Sequence, residues 1–279
     1  MTAHEQFVAI TALGTEEVVA EELVLLGAVK TDMRRGAVGF EGSLDTAYRA
    51  CLWSRAASRI LLPIESFSAN KEDDVYEGVL GIPWEDHLDP QGTLAVDVVM
   101  SGNQFTNSRF LTFRAKDAIV DRMRERFAKR PNVDTQEPDL RVHVYIKGDQ
   151  VTVSIDLAGT GMHRRGIARV PGGAPLKENL AAALLYMAKW PARAAQNEPL
   201  FDPMCGSGTF LIEAGWMALD VAPGLKRRHH GMIGWKGHDE NAWKALLQEA
   251  HDRRRAGAGR AVSLYGMDSS ERALDAAQK

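Results

Sequence analysis

Leu200-Phe201-Asp202-Pro203-Met204-Cys205-Gly206-Ser207-Gly208-Thr209-Phe210-Leu211-Ile212-Glu213-Ala214 is the stretch that decides how this 279-residue chain is read. Residues 199–202 read as a short strand ending in an acid, residues 205–208 as a tight turn, and residues 209–219 as a helix. A further strand at 262–267 and a helix at 269–279 continue the α/β order. An acid-ended strand, a Gly-x-Gly turn and a helix together are a physical recipe for holding a nucleoside. The glycines let a ligand approach the backbone, and the helix start offers free N–H groups.

Three ligands compete for that recipe. A nucleotide P-loop needs Gly-Lys-Ser/Thr, but Gly208 is followed by Thr209 and Phe210. A nicotinamide or flavin site asks for a third glycine where Leu211 stands, and for an acid about 20 residues further on. S-adenosylmethionine has no pyrophosphate, so it needs the close turn plus an acid after the second strand for its ribose hydroxyls. Asp268, closing Leu264-Tyr265-Gly266-Met267, stands where that acid is wanted. Its alternative role is to cap a helix beginning at Ser269, and the two roles can coexist. Cys205 reads as a small packing residue rather than a nucleophile, because no histidine partners it at a recognisable spacing.

Composition narrows the classes. Hydrophobic residues at 45% and charged residues at 25% are those of a packed globular chain, which excludes disordered and fibrous readings. The two cysteines, Cys51 and Cys205, offer no disulfide framework or zinc-ligand spacing, so no metal is expected and a reducing cytoplasm fits best. The N-terminus carries glutamates where an export signal would carry basic residues before an apolar core. The longest apolar run, residues 180–188, is nine residues against the roughly 20 that cross a bilayer, so no membrane association is expected. Net charge is −3, but it is unevenly spread. Residues 1–100 hold 7 Lys and Arg against 17 Asp and Glu, and residues 101–279 hold 27 against 20. Such asymmetry suits a polyanion partner for the basic part, and an ordinary solvated surface equally well.

Outward from the turn, the order strand (7–11), helix capped by Thr15, strand (38–41), helix capped by Ser43 and strand (58–64) suggests a small α+β unit of ferredoxin-like type. A second unit follows from about residue 67, with a strand around 94–100 and a helix over 114–129. In it, residues 141–147 and 150–157 alternate apolar and polar across a Gly148-Asp149 turn, which predicts a hairpin. Residues 159–175, rich in glycine and basic residues, read as a linker. A helix stripe of Leu176, Leu180, Leu184 and Met187 opens the third unit.

The turn motif Asp202-Pro203-Met204-Cys205-Gly206-Ser207-Gly208-Thr209 resembles the first cofactor motif of class I RNA methyltransferases that carry a THUMP RNA-binding domain. Residues 175–184, PLKENLAAAL, are similar to that family's preceding helix, which helps seat the methionine end of the cofactor. His163-Arg164-Arg165-Gly166, Arg130-Pro131-Asn132-Val133-Asp134, Lys116-Asp117-Ala118-Ile119-Val120-Asp121 and Ala222-Pro223-Gly224-Leu225 resemble one branch, the large-subunit ribosomal RNA guanine-N2 methyltransferases of RlmL type. The resemblance implies a ferredoxin-like domain (1–65), a THUMP domain (66–158), the linker (159–175) and a Rossmann-like class I methyltransferase domain (176–279). It implies S-adenosylmethionine as cofactor, the N2 of a guanine in 23S ribosomal RNA or a large-subunit precursor as target, and in some members a second, fused methyltransferase domain.

On that resemblance Asp202, Pro203, Cys205, Gly206, Ser207, Gly208, Thr209 and Asp268, with Lys177 and Glu178, line the cofactor. Arg109, Arg114, Lys116, His163, Arg164 and Arg165 are the candidates for RNA contact. Lys226-Arg227-Arg228 and Arg253-Arg254-Arg255 either face RNA or are ordinary solvated surface. The family's Asn/Asp-Pro-Pro-Tyr/Phe motif is missing, since the chain contains no Pro-Pro, and roughly 200 residues are expected for a complete sheet of this kind. The methyltransferase domain is therefore expected to be incomplete, with its catalytic residues elsewhere. Competing readings are an RNA-binding module with a vestigial cofactor site, a DNA amino-methyltransferase and a nicotinamide oxidoreductase.

Overall fold

The computed structural model describes residues 4–102, 105–166 and 176–278. Its first strands and helices are β1 (Glu5–Ile10), α1 (Glu16–Leu25), β2 (Lys30–Arg34), β3 (Ala37–Gly42), α2 (Leu44–Trp53) and β4 (Arg59–Ser68). The antiparallel order β2-β3-β1-β4 is the ferredoxin-like arrangement expected. β2 escaped the sequence reading because it is a polar edge strand with no buried residue, which leaves no alternation to detect. Ser43 caps α2 as expected, its Oγ accepting from Thr46 N–H at 3.3 Å. Thr15 holds the cap position of α1, but its hydroxyl turns back to donate to the Ala12 carbonyl at 2.8 Å and does not cap.

Next come α3 (Glu72–Gly81), a 3₁₀ turn at Trp84–Asp86, β5 (Thr93–Ser101), α4 (Ser108–Phe127), β6 (Asn132–Val133), β7 (Leu140–Lys147) and β8 (Gln150–Asp156). β7 and β8 form the expected hairpin, with Gly148 at φ +61° making the turn. α4 starts earlier than predicted, because Asn107 Oδ1 accepts from Phe110 N–H and fixes a first turn that the apolar stripe does not mark. β4 is shared: residues 59–61 pair with β1, and residues 61–68 pair with β8 across a bulge between Pro63 and Glu65. The result is one eight-stranded sheet, β2-β3-β1-β4-β8-β7-β5-β6. The division placed between residues 65 and 66 thus falls inside a continuous strand.

The third unit comprises α5 (Glu178–Met187), α6 (Trp190–Ala195), β9 (Leu200–Asp202), α7 (Thr209–Ala218), α8 (Glu240–Gly257), β10 (Leu264–Gly266) and α9 (Glu271–Ala277). β9 and β10 run parallel, in register from Leu200 opposite Leu264 to Asp202 opposite Gly266. A small core of Leu185, Trp190 and Ala214 packs α5 and α6 on α7, and Trp190 Nε1 donates to the Ala214 carbonyl at 2.9 Å.

The third unit is bound to the front sheet through backbone. Between α7 and α8 the chain crosses the front units, with Gly224 N–H donating to Leu52 O, Met232 N–H to Leu157 O and Lys236 N–H to His87 O, at 2.9 to 3.0 Å. Tyr48 of α2 pairs its hydroxyl with His238 Nδ1 and accepts from Asp239 N–H, both at 2.9 Å. Arg49 of α2 grips Glu249 of α8 with two bonds of 2.9 and 2.8 Å. Residues 159–166, read as linker, are packed: Met162 N–H donates to Ser58 O, and Met162 and Arg165 are both buried. The rest of that stretch, 167–175, lies outside the described residues.

Candidate cofactor site and nucleic-acid face

The parallel pair β9 and β10 places the two loops that follow them side by side. Met267 N–H donates to Asp202 O at 2.9 Å and Cys205 N–H to Met267 O at 2.8 Å, so the turn is bound to the end of the neighbouring strand. Asp202 Oδ1 accepts from Met204 N–H at 3.1 Å, which orients the turn. Gly206 and Gly208 stand at φ +53° and +79°, where a side chain would strain the backbone. Gly208 is the cap residue of α7 and supplies no side-chain acceptor, so the N–H groups at the start of this helix are not capped by it.

Asp268 joins the site. Its Oδ2 accepts from Gly206 N–H at 2.9 Å and its Oδ1 from Ser270 N–H at 2.9 Å. Those N–H groups, of Ser270 and then Gly206, hold its carboxyl below the usual range, so it is an anion at neutral pH. The cap of α9 is Ser270, whose Oγ accepts from Ala273 N–H, and not Asp268 as the alternative reading had it. Burial first, then the Asp202 and Asp268 carboxylates, push the Cys205 thiol up, which suits a packing residue. Thr209 is buried at the start of α7, with Ser207 and exposed Pro203 flanking the turn. Lys177 and Glu178 open α5, the helix packed on α7, and Lys177 places its charge beside His163.

This arrangement fits a nucleoside cofactor. A Cβ built on Gly206 meets nothing within 4 Å, so the turn faces open space, with an anion beside it and helix N–H groups behind it. Among the described residues, no group of three or more His, Cys, Asp or Glu could hold a metal ion.

The six residues expected at RNA separate into three groups. Arg109 and Arg164 are exposed, and Arg109 lies 5.8 Å from the centre of the Phe113 ring. Arg114 and Lys116 are engaged: Arg114 donates to Asp73 at 2.5 Å and sits over the Tyr76 ring, while Lys116 pairs with Asp117. Arg165 is a correction. It is buried and bonds Glu213 of α7 at 3.0 Å, the Met162 carbonyl at 3.0 Å and the Arg55 carbonyl at 2.6 Å, so it is a strut inside the protein. Half-buried His163 is pushed down to about 4 by burial and by Lys177, Arg164, Arg165 and Arg227, so at neutral pH its ring is uncharged.

Two residues unread in the sequence belong beside Arg165. Arg55 Nη2 donates to the Trp216 and Val221 carbonyls at 3.3 and 2.7 Å, holding the far end of α7. Glu22 of α1 accepts from Ser54 Oγ and from the Arg55 and Ala56 backbone, fixing the segment that carries Arg55. No local pattern marks a lone Arg or Glu whose partner lies 161 or 32 residues away. Arg253, part of a basic run considered for RNA, instead stacks 3.7 Å from the Trp53 ring centre and bonds Asp220.

An α/β strand–turn–helix unit that fits a nucleoside cofactor, carried behind a ferredoxin-like and THUMP sheet, defines the class, and the family follows from its relatives. Family models match in three consecutive blocks: the RlmL ferredoxin-like domain over residues 6–61, the THUMP domain over 69–156 and the RMKL-like methyltransferase domain over 165–279. The chain belongs to this family of THUMP-containing methyltransferases. It is 47% identical over 279 residues to the ribosomal RNA large subunit methyltransferase K/L of Syntrophotalea carbinolica, covering all of this chain and 39% of that protein. A crystal structure of a predicted N6-adenine-specific DNA methylase from Listeria monocytogenes matches at TM-score 0.83 and 31% identity, covering 99% of this chain and 70% of that one. SMU.472, a putative methyltransferase complexed with SAH, matches at TM-score 0.82 and 29% identity, covering 100% and 72%. The chain spans about two fifths of the length of the curated relatives it matches.

Proposed function

We propose that this chain is the RNA-binding front and the cofactor half-site of an S-adenosylmethionine-dependent methyltransferase acting on the exocyclic N2 of a guanine in 23S ribosomal RNA. The observation that carries the reading is the Gly206 turn joined to the Asp268 carboxylate beneath the start of α7, on a chain whose front matches a THUMP domain. The matched relatives' name supports ribosomal RNA as the substrate. Their greater length leaves room for the remaining strands of the sheet and for a second methyltransferase unit. A cytoplasmic location goes with action on ribosomal RNA. Among the described residues no helix is long and apolar enough to cross a membrane.

When bound, the sulfonium cofactor supplies an activated methyl group and its own leaving group. The chain's residues contribute position. Gly206 and Gly208 let the nucleoside lie against the turn, Asp268 holds the ribose side, Asp202 keeps the turn in shape, and Lys177 and Glu178 stand toward the methionine end. The chain contains no Pro-Pro, so the family's catalytic motif is not among these residues. A guanine amine in folded RNA is paired or stacked, so its base has to be extracted at a cost of a few kcal/mol, offset by backbone contacts from Arg109, Arg164 and the THUMP sheet. The test is methyl transfer by the complete polypeptide. Label from methyl-tritiated cofactor is expected in N2-methylguanosine after digestion of 23S ribosomal RNA, and label in DNA adenine instead would favour the amino-methyltransferase alternative.

A further inference from the structure

We propose that the cleft between the β6–β7 connection and the Arg227-Arg228 loop seats a phosphodiester of the RNA strand; the proposal rests on the RNA reading above. The cleft has a volume of about 320 Å³ and brings together Arg164, Arg227 and Arg228 on one side and Asp134 and Glu137 on the other.

Arg227 carries the inference. It is 8% exposed, and its Nη2 donates to the Ala158 carbonyl at 2.7 Å and to Thr160 O and Oγ1, both at 3.0 Å. Its Nε and Nη1 are enclosed and have no hydrogen-bond partner. Among the described residues no carboxylate lies within ion-pair distance of Arg227, Arg164 or Arg228. Two other buried arginines keep the usual anion beside a buried cation, whereas Arg55, like Arg227, is held by backbone carbonyls. Arg165 has Glu213 and Arg141 has Asp97, each at 3.0 Å. The two acids that share the cleft form no ion pair with its three arginines. Asp134 turns Oδ1 to the N–H groups of Gln136 and Glu137, at 2.8 and 3.2 Å.

A buried guanidinium with no carboxylate at ion-pair distance projects its field into the cleft, since low-dielectric walls screen it poorly. It acts by charge, because its unpartnered nitrogens are enclosed. Direct donors come from the exposed Arg164 and Arg228, whose planar forks suit phosphate oxygens. The place is also apt. Arg164 is followed directly by Arg165, which bonds Glu213 in the helix that starts at the cofactor turn, so RNA held here is held against the same frame.

The test measures anisotropy of a fluorescein-labelled 23S ribosomal RNA fragment bound to the complete polypeptide across a potassium chloride series. Arg164→Gln and Arg228→Gln alter exposed side chains and leave the Arg227 backbone ties in place. Each is expected to reduce the log–log salt slope by about 0.7 to 0.9, and the double variant by about twice that. Arg254→Gln, on α8 outside this cleft, is expected to leave the slope unchanged. A wild-type slope in the double variant overturns the cleft while the RNA reading stands. Failure of the wild-type protein itself to bind the RNA overturns both.

Discussion

Asp268 shows how much one side chain does at the proposed cofactor site: one oxygen fixes the Gly206 turn and the other fixes the loop into α9. Replacing it by alanine is expected to weaken binding of S-adenosylhomocysteine to the complete polypeptide by about tenfold or more, since both N–H groups lose a charged acceptor. Isothermal titration calorimetry reads this directly, and unchanged affinity would remove Asp268 from the site. Arg165 invites the opposite expectation, one of stability. Its pair with Glu213 is almost wholly buried, with side chains 2% and 0% exposed, so Glu213→Gln or Arg165→Met is expected to cost about 3 to 5 kcal/mol. Urea unfolding midpoints check it. The double change Arg165→Met with Glu213→Leu should cost less than either alone if the penalty is an unpaired buried charge.

At the scale of elements, the segment between α7 and α8 acts as a strap. Trp235 Nε1 donates to His87 Nδ1 at 3.0 Å, next to the Lys236 N–H bond to the His87 carbonyl. Trp235→Phe removes that donor and is expected to cost about 1 kcal/mol and to speed proteolysis of the strap. Equal cleavage rates in the two proteins would contradict this. The elements that sequence reading found are those whose pattern is local: the β7–β8 hairpin with its strict alternation, α2 with its Ser43 cap, and the strand–turn–helix at Asp202. α3 went unread because only Val75 and Val79 are buried in it, and β2 because nothing is. α8 was legible in principle, from Asp239 as cap and the stripe Trp243, Leu246 and Ala250, but its basic last turn drew the reading toward RNA. The glycine turn and Asp268 were readable as site residues. The Arg55, Arg165 and Glu22 node was not, because its geometry exists only once distant segments pack.

On the whole-molecule scale, burial is the first cause that lowers the pKa of six of the eight histidines: His87, His143, His163, His229, His230 and His238. Each binds its proton less readily folded than unfolded, where the value is about 6.5. Their contribution is therefore full above about pH 6.5 and is lost as the pH falls toward the folded values, about 4 for His163 and about 3 for His230. Buried Glu22, pushed up by burial, opposes this as a single group. The melting temperature is expected to drop between pH 7.5 and pH 5.5, and equal values at the two would contradict the burial of this set.

The same packing holds the front sheet and the cofactor turn in one frame, so a molecule that binds RNA through its front and carries a methyl donor at Gly206 would deliver one to the other at fixed geometry. Methyl transfer from tritiated S-adenosylmethionine to 23S ribosomal RNA by the complete polypeptide, with and without Asp268→Ala, tests that most directly. The account predicts label in N2-methylguanosine that falls sharply with the substitution. Label that appears in another base, or that persists undiminished in the variant, would contradict it.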